Sequence, residues 1–143
     1  MIIVDTSGWI AALGHDRAQA AEDARAAYAS DPGPFILSPY VLAELDYLVL
    51  KRVGLRAELA MLREAAAGVL QLADFGSREV ARAAAVAEQY ADLEIGLADA
   101  SVVVLAERYK TTRVLTLDHR HFRAMKPLQG GSFTILPEDG DTG

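Results

Sequence analysis

The chain has no cysteine, so neither a disulfide framework nor a thiolate metal site is open to it. No apolar run is long enough to span a bilayer as one helix. No basic segment precedes the first apolar stretch, as a secretion signal would require. These two absences make the cytoplasm the expected compartment, with no membrane partner. Positive charge is scarce too: 14 Lys and Arg stand against 20 Asp and Glu, a formal charge of −6. Nucleic-acid binders usually carry a basic face. An acidic total does not exclude one, because acids gathered around a cation invert the local charge.

What is present suits an ordinary globular domain, with 52% hydrophobic and 24% charged residues over 143 positions. One domain is expected over 1–137, and the polar, glycine-rich end at 138–143 is expected to be disordered. Four segments read as strands: MIIVD at 1–5, FILS at 35–38, RVLTLD at 113–118 and SFTILP at 132–137. Three of them are near-continuous apolar runs, which suits strands covered on both faces of a parallel sheet. Helical spacing separates them, over 16–29, 39–52, 55–67, 77–91 and 97–109. SDPGP at 30–34 stops the first of these helices, and Ser38-Pro39 opens the second with a capping hydroxyl and a proline at the first position. Strands alternating with helices predict an α/β fold: a central parallel sheet of four to five strands flanked by helices in three layers. Ligands of such sheets collect at the carboxyl ends of the strands.

Carboxylates fall at that edge. Asp5 closes the first strand and Asp118 closes RVLTLD. Glu44 lies on one flank of the apolar face formed by Val41, Leu42, Leu45, Leu48 and Val49, with Asp46 expected on the opposite, solvent flank. Asp99, in IGLADASVVVLAERY, shares a helix side with Val102, Val103 and Ala106. An acid in an apolar stripe is costly unless it is paired, protonated or holding a cation. Taken singly, Asp5 and Asp118 can equally be turn or helix caps, and Glu44 an exposed helix residue. Together, four acids at one sheet edge repel one another unless some are protonated or a cation holds them. Without cysteine, and with no histidine pair at ligand spacing, the ligand set is all oxygen, which suits Mg²⁺ or Mn²⁺. Such an ion activates water and neutralises phosphate charge, so these residues read as a metal-dependent phosphodiesterase.

VDTS, SPYVLAELDYLV, IGLADASVVVLAERY and VLTLDHRHF, in this order and spacing, resemble the PIN-domain nucleases, specifically the VapC ribonuclease toxins of toxin–antitoxin pairs. The resemblance covers MIIVDTSGWIA to FTILP. It implies a PIN-like fold, with Asp5, Glu44, Asp99 and Asp118 as catalytic metal ligands and Thr6 supporting the acids by hydrogen bonding. Where many relatives carry a further acid, this chain has His121, which leaves one ion or two open and is compatible with activity at one well-ordered ion. The resemblance further implies cleavage of translation RNA, either transfer RNA or the sarcin–ricin loop of the large ribosomal RNA, by metal-activated water. It also implies a homodimer, and a VapB-type antitoxin whose C-terminal segment covers the site.

Cations near the acids are candidates for RNA contact: His119, Arg120, His121, Arg123 and Lys126 after Asp118, and Lys110 and Arg113 before it. The alternative for each is a solvated surface. His15 is expected to be a surface or capping residue, Trp9 a core or dimer residue, and Tyr47 a possible base-stacking ring. The alanine-dense stretches 17–29 and 81–91 suit close packing against other helices or a partner. Two other phosphate chemistries that begin with Asp after the first strand do not fit. A haloacid-dehalogenase-type phosphatase needs Asp two residues later, where Ser7 stands, and a receiver domain needs further acids before its first helix. The competing class is a PIN-like module that binds RNA or an antitoxin without cutting.

Overall fold

The computed structural model describes residues 1–14 and 18–140. Five parallel strands lie in the order β3-β2-β1-β4-β5: β1 (Ile2–Val4), β2 (Phe35–Leu37), β3 (Gln71–Leu72), β4 (Arg113–Leu115) and β5 (Thr134–Leu136). The chain lays β2 and β3 on one side of β1, then returns to place β4 and β5 on the other. The order therefore reverses between β1 and β4, and a crevice opens at the carboxyl ends of those two strands. Ile3 pairs with Val114 and Val4 with Leu115, so the residues following both strands emerge side by side.

The helices are α1 (Thr6–Leu13), α2 (Gln19–Ser30), α3 (Pro39–Arg52), α4 (Leu55–Ala67), α5 (Ser77–Gln89), α6 (Gly96–Arg108) and α7 (His119–Ala124). Ser38 caps α3 by accepting the Tyr40 N–H at 3.1 Å, with Pro39 at the first helical position. Gly68 ends α4 in the left-handed conformation, at φ 84°. α6 is the central helix. Its residues Ala100 to Ala106 are all buried, beside the apolar strands. Trp9 is buried, with its ring edge-on to Tyr28 at 4.8 Å, which makes it a core residue.

The start of α1 depends on Gly8. A Cβ at that position would lie 2.2 Å from the Leu115 carbonyl oxygen. The missing side chain lets the first turn of α1 sit directly on the end of β4.

Two elements are added and two expectations are corrected. β3 pairs with β2 and brings the sheet to five strands, within the four to five expected, although its two residues are exposed. α1 follows β1 at once and precedes the helix expected over 16–29, which is α2 and begins at Gln19; His15 lies outside the described residues. Part of the expected disordered tail is held in place. Pro137 to Asp139 form a turn in which Asp139 accepts the Ile135 N–H at 2.8 Å and pairs with Arg123. Asp46 does not simply face solvent, because it is half-buried and its carboxyl stands beside Glu58 of α4, whose pKa it raises. The alanine-rich helices are used within the chain, α2 against α1 and α5 against α6.

Candidate active site

Asp5 follows β1 directly and is buried, at 4% exposure. It stands at the N-cap position of α1 without a side-chain capping bond. Its Oδ2 instead accepts the Thr116 hydroxyl at 2.7 Å and the Ser7 hydroxyl at 3.2 Å. Those hydroxyls also bind the strand end: Ser7 Oγ accepts the Leu117 N–H at 3.0 Å, and Thr116 Oγ1 accepts the Asp118 N–H at 2.9 Å. One small network thus fixes the carboxylate of Asp5 against the backbone that carries Asp118. Burial raises the Asp5 pKa, against the opposing pull of the Thr116, Thr6 backbone and Ser7 hydrogen bonds.

Glu44 comes from α3, where it is exposed, and its Oε2 accepts the Thr6 hydroxyl at 2.9 Å. Asp118 serves two neighbours. Its Oδ1 accepts the His121 N–H at 3.2 Å, capping α7, while its Oδ2 lies 3.0 Å from His121 Nδ1. Asp99, in the first turn of α6, places its Oδ2 2.8 Å from the same nitrogen. Asp99, Asp118 and His121 offer ligand atoms within 4.8 Å of one another. Burial, then the like charge of Asp5, pushes the Asp99 pKa up to about 7, although the hydrogen bond from His121 pulls the other way.

Asp5, Glu44, Asp99 and Asp118 line one cleft of about 670 Å³. Its remaining wall is largely apolar, with Ile10, Leu48, Ile95 and Leu117. A hard divalent cation suits this set, because oxygen donors predominate and the crowded carboxylates repel one another without one. His121 places a nitrogen donor beside two of the acids. The sequence reading missed Ser7 and Thr116 as supports for Asp5, and Arg52 as a residue of the cleft.

The proposed RNA contacts separate. Arg113 opens β4, at the far end from Asp118, and its guanidinium lies 2.6 Å from Asp31. Lys110, just past the end of α6, lies towards the same far edge. Neither stands beside the acids, which corrects that expectation. Arg123 bonds Asp139 at 2.7 Å and points away from the cleft lining, while His119 Nδ1 lies 3.2 Å from Glu138. Arg120 and Lys126 are exposed on and just beyond α7. Tyr47 is 61% exposed, with the Lys51 ammonium 5.7 Å from its ring centre.

An acid-lined crevice at the switch point of a five-stranded parallel sheet defines a PIN domain, and the PIN domain family model matches residues 2–127. Ribonuclease VapC26 of Mycobacterium tuberculosis (strain H37Rv) is 49% identical over 140 residues, covering 95% of this chain and all of the relative. The chain belongs to the VapC ribonucleases of the PIN-domain family. Among solved structures, M. tuberculosis VapC20, a sarcin–ricin loop cleaving toxin, superposes with a TM-score of 0.74 at 25% identity, covering 84% of this chain and 92% of that one. FitAcB from Neisseria gonorrhoeae shares the fold, with a TM-score of 0.56 at 20% identity over 83% of this chain and 88% of that one. Among the described residues, no helix is long and apolar enough to cross a membrane.

Proposed function

We propose that the chain is a Mg²⁺-dependent endoribonuclease toxin that cuts RNA of the translation apparatus, with the sarcin–ricin loop of the large ribosomal RNA as first candidate and transfer RNA as second. The observation that carries this reading is the convergence of Asp5, Glu44, Asp99 and Asp118 on one cleft, with a hydroxyl network holding the deepest of them. The target rests on VapC20, which cleaves that loop and shares the fold along most of the chain.

The four acids would hold Mg²⁺, or Mn²⁺ in its place. When bound, the ion supplies positive charge to the phosphate and lowers the pKa of water. The chain's own contribution is positional. Thr116 and Ser7 engage Oδ2 of Asp5 and fix its carboxylate against the backbone that carries Asp118. Thr6 limits the rotation of Glu44, a side chain that would otherwise be mobile on an exposed helix face. The amino end of α6 favours negative charge on Asp99, and His121 bridges Asp99 to Asp118. Apolar residues on the cleft wall limit water around the acids.

The family's restraint by a VapB-type antitoxin, and its homodimer, extend to this chain under the same reading. Exposed Leu50, Val53, Leu55 and Leu59 on and between α3 and α4 supply apolar surface for such partners. The test is incubation of the purified protein with intact ribosomes and with total transfer RNA in Mg²⁺, followed by mapping of new 5′ ends. A single cut in the sarcin–ricin loop bears the reading out. Cuts confined to transfer RNA replace the substrate and keep the class. No cut in either leaves the non-cutting binding module as the better description.

A further inference from the structure

We infer that Arg52 is the substrate-binding cation of the cleft, holding a phosphate of the RNA strand next to the one that is cut. The inference rests on the ribonuclease reading above and names a residue that the pattern of acids does not. Glu44, Leu48 and Arg52 are spaced four residues apart on α3 and line the same cleft as Asp5 and Asp118. Eight residues of helix span about 12 Å, and the arginine side chain shortens that gap by leaning back towards the amino end. Arg52 therefore stands beside the acids rather than among them, where a flanking phosphate would pass.

Charge makes the position consequential. A polyanion entering this cleft meets four carboxylates, and an ion held by them offsets charge only at the centre. Among the described residues that line the cleft, Arg52 is the one cation. The basic residues after Asp118 do not line it, and two of them are engaged elsewhere, His119 with Glu138 and Arg123 with Asp139. No ion pair is formed by Arg52 among the described residues, so its planar fork of donors is available for two-point contact with a phosphate. The competing role is structural: a cation in the last turn of α3 also complements the helix dipole. A dipole role is served equally by lysine and leaves RNA affinity alone.

The test measures fluorescence anisotropy of a short, labelled, single-stranded RNA of mixed sequence across a KCl series. Arg52→Ala and Arg52→Lys are each made in the Asp99→Asn background, so that no cutting disturbs the equilibrium. Arg52→Ala is expected to weaken binding about tenfold and to reduce the slope of log affinity against log salt by about 0.7, the share of one phosphate contact on a single strand. Arg52→Lys should restore the slope but only part of the affinity. Arg78→Ala, which removes the same charge from the exposed start of α5, should change neither. Unchanged affinity and slope in Arg52→Ala, full rescue of affinity by lysine, or no RNA binding by the parent would each overturn the inference. Cutting by the wild-type chain is scored separately. A chain that cuts RNA but ignores Arg52 sinks only this inference, and one that binds through Arg52 but never cuts sinks the ribonuclease reading.

Discussion

Replacing Asp99 by asparagine should make the metal-free protein more stable at mildly alkaline pH. Asparagine keeps the shape and an oxygen that can accept from His121, and it removes the charge that burial and Asp5 oppose. The distance between about 7 and the ordinary 3.8 corresponds to about 4 kcal/mol for a fully buried group. Asp99 keeps some contact with solvent, which screens the repulsion, so about 2 kcal/mol is the working figure. The sign follows from proton binding. The folded chain holds the Asp99 proton more tightly than the unfolded chain, so this stability is fully present below the ordinary carboxylate value and is lost as pH rises through about 7. In EDTA, wild type should lose about 6–8 °C of melting temperature between about pH 4 and pH 8, whereas Asp99→Asn loses much less and melts higher at the upper end. Mg²⁺ should then raise the wild-type melting temperature at the upper pH and leave the variant almost unmoved. Thermal melts followed by circular dichroism read all of this. A wild-type melting temperature that holds or rises from low to high pH in EDTA, with the variant less stable at the upper end, would refute the reasoning.

Thr116→Val should cost about 1–3 kcal/mol, because it removes the shorter of the two hydroxyl bonds to Asp5 Oδ2 and takes the acceptor from the Asp118 N–H. Urea melts should show that loss, and the Mg²⁺ concentration giving half-maximal cleavage should rise with it. Gly8→Ala pushes a methyl group against the Leu115 carbonyl and should destabilise the chain by about 2 kcal/mol or more, read as a lower urea midpoint. An unchanged midpoint would show that α1 can shift away from β4 freely.

Much of the fold was legible because its signals are local. Short apolar runs ending in acids mark β1 and β4, and a capping serine with proline marks α3. Asp5 and Asp118 were legible for the same reason, since the carboxyl edge of a parallel sheet gathers whatever follows its strands, whereas Glu44 and Asp99 stood out by their places against the apolar faces of α3 and α6. β3 was not, because two exposed residues carry no pattern and are a strand only by virtue of pairing with β2. Nor was the support of Asp5, since Ser7 and Thr116 lie 109 residues apart and meet only where Gly8 lets α1 touch β4. Their signal was hydroxyls beside each acid, in VDTS and VLTLD. Arg113 was misplaced despite a readable clue: it opens the strand that leads to Asp118, and a strand separates its two ends by about 3.3 Å per residue. Arg52 could have been found from its eight-residue spacing to Glu44 along one helix face.

The claim on which the rest depends is that the clustered acids hold a divalent ion and thereby cut RNA. We would measure cleavage of intact ribosomes by wild type in Mg²⁺, by wild type in EDTA, and by Asp5→Asn in Mg²⁺, with circular dichroism showing that the variant is folded. Discrete cuts in the first reaction and none in the other two are expected. Equal cutting in EDTA, or by a folded Asp5→Asn chain, would contradict the claim.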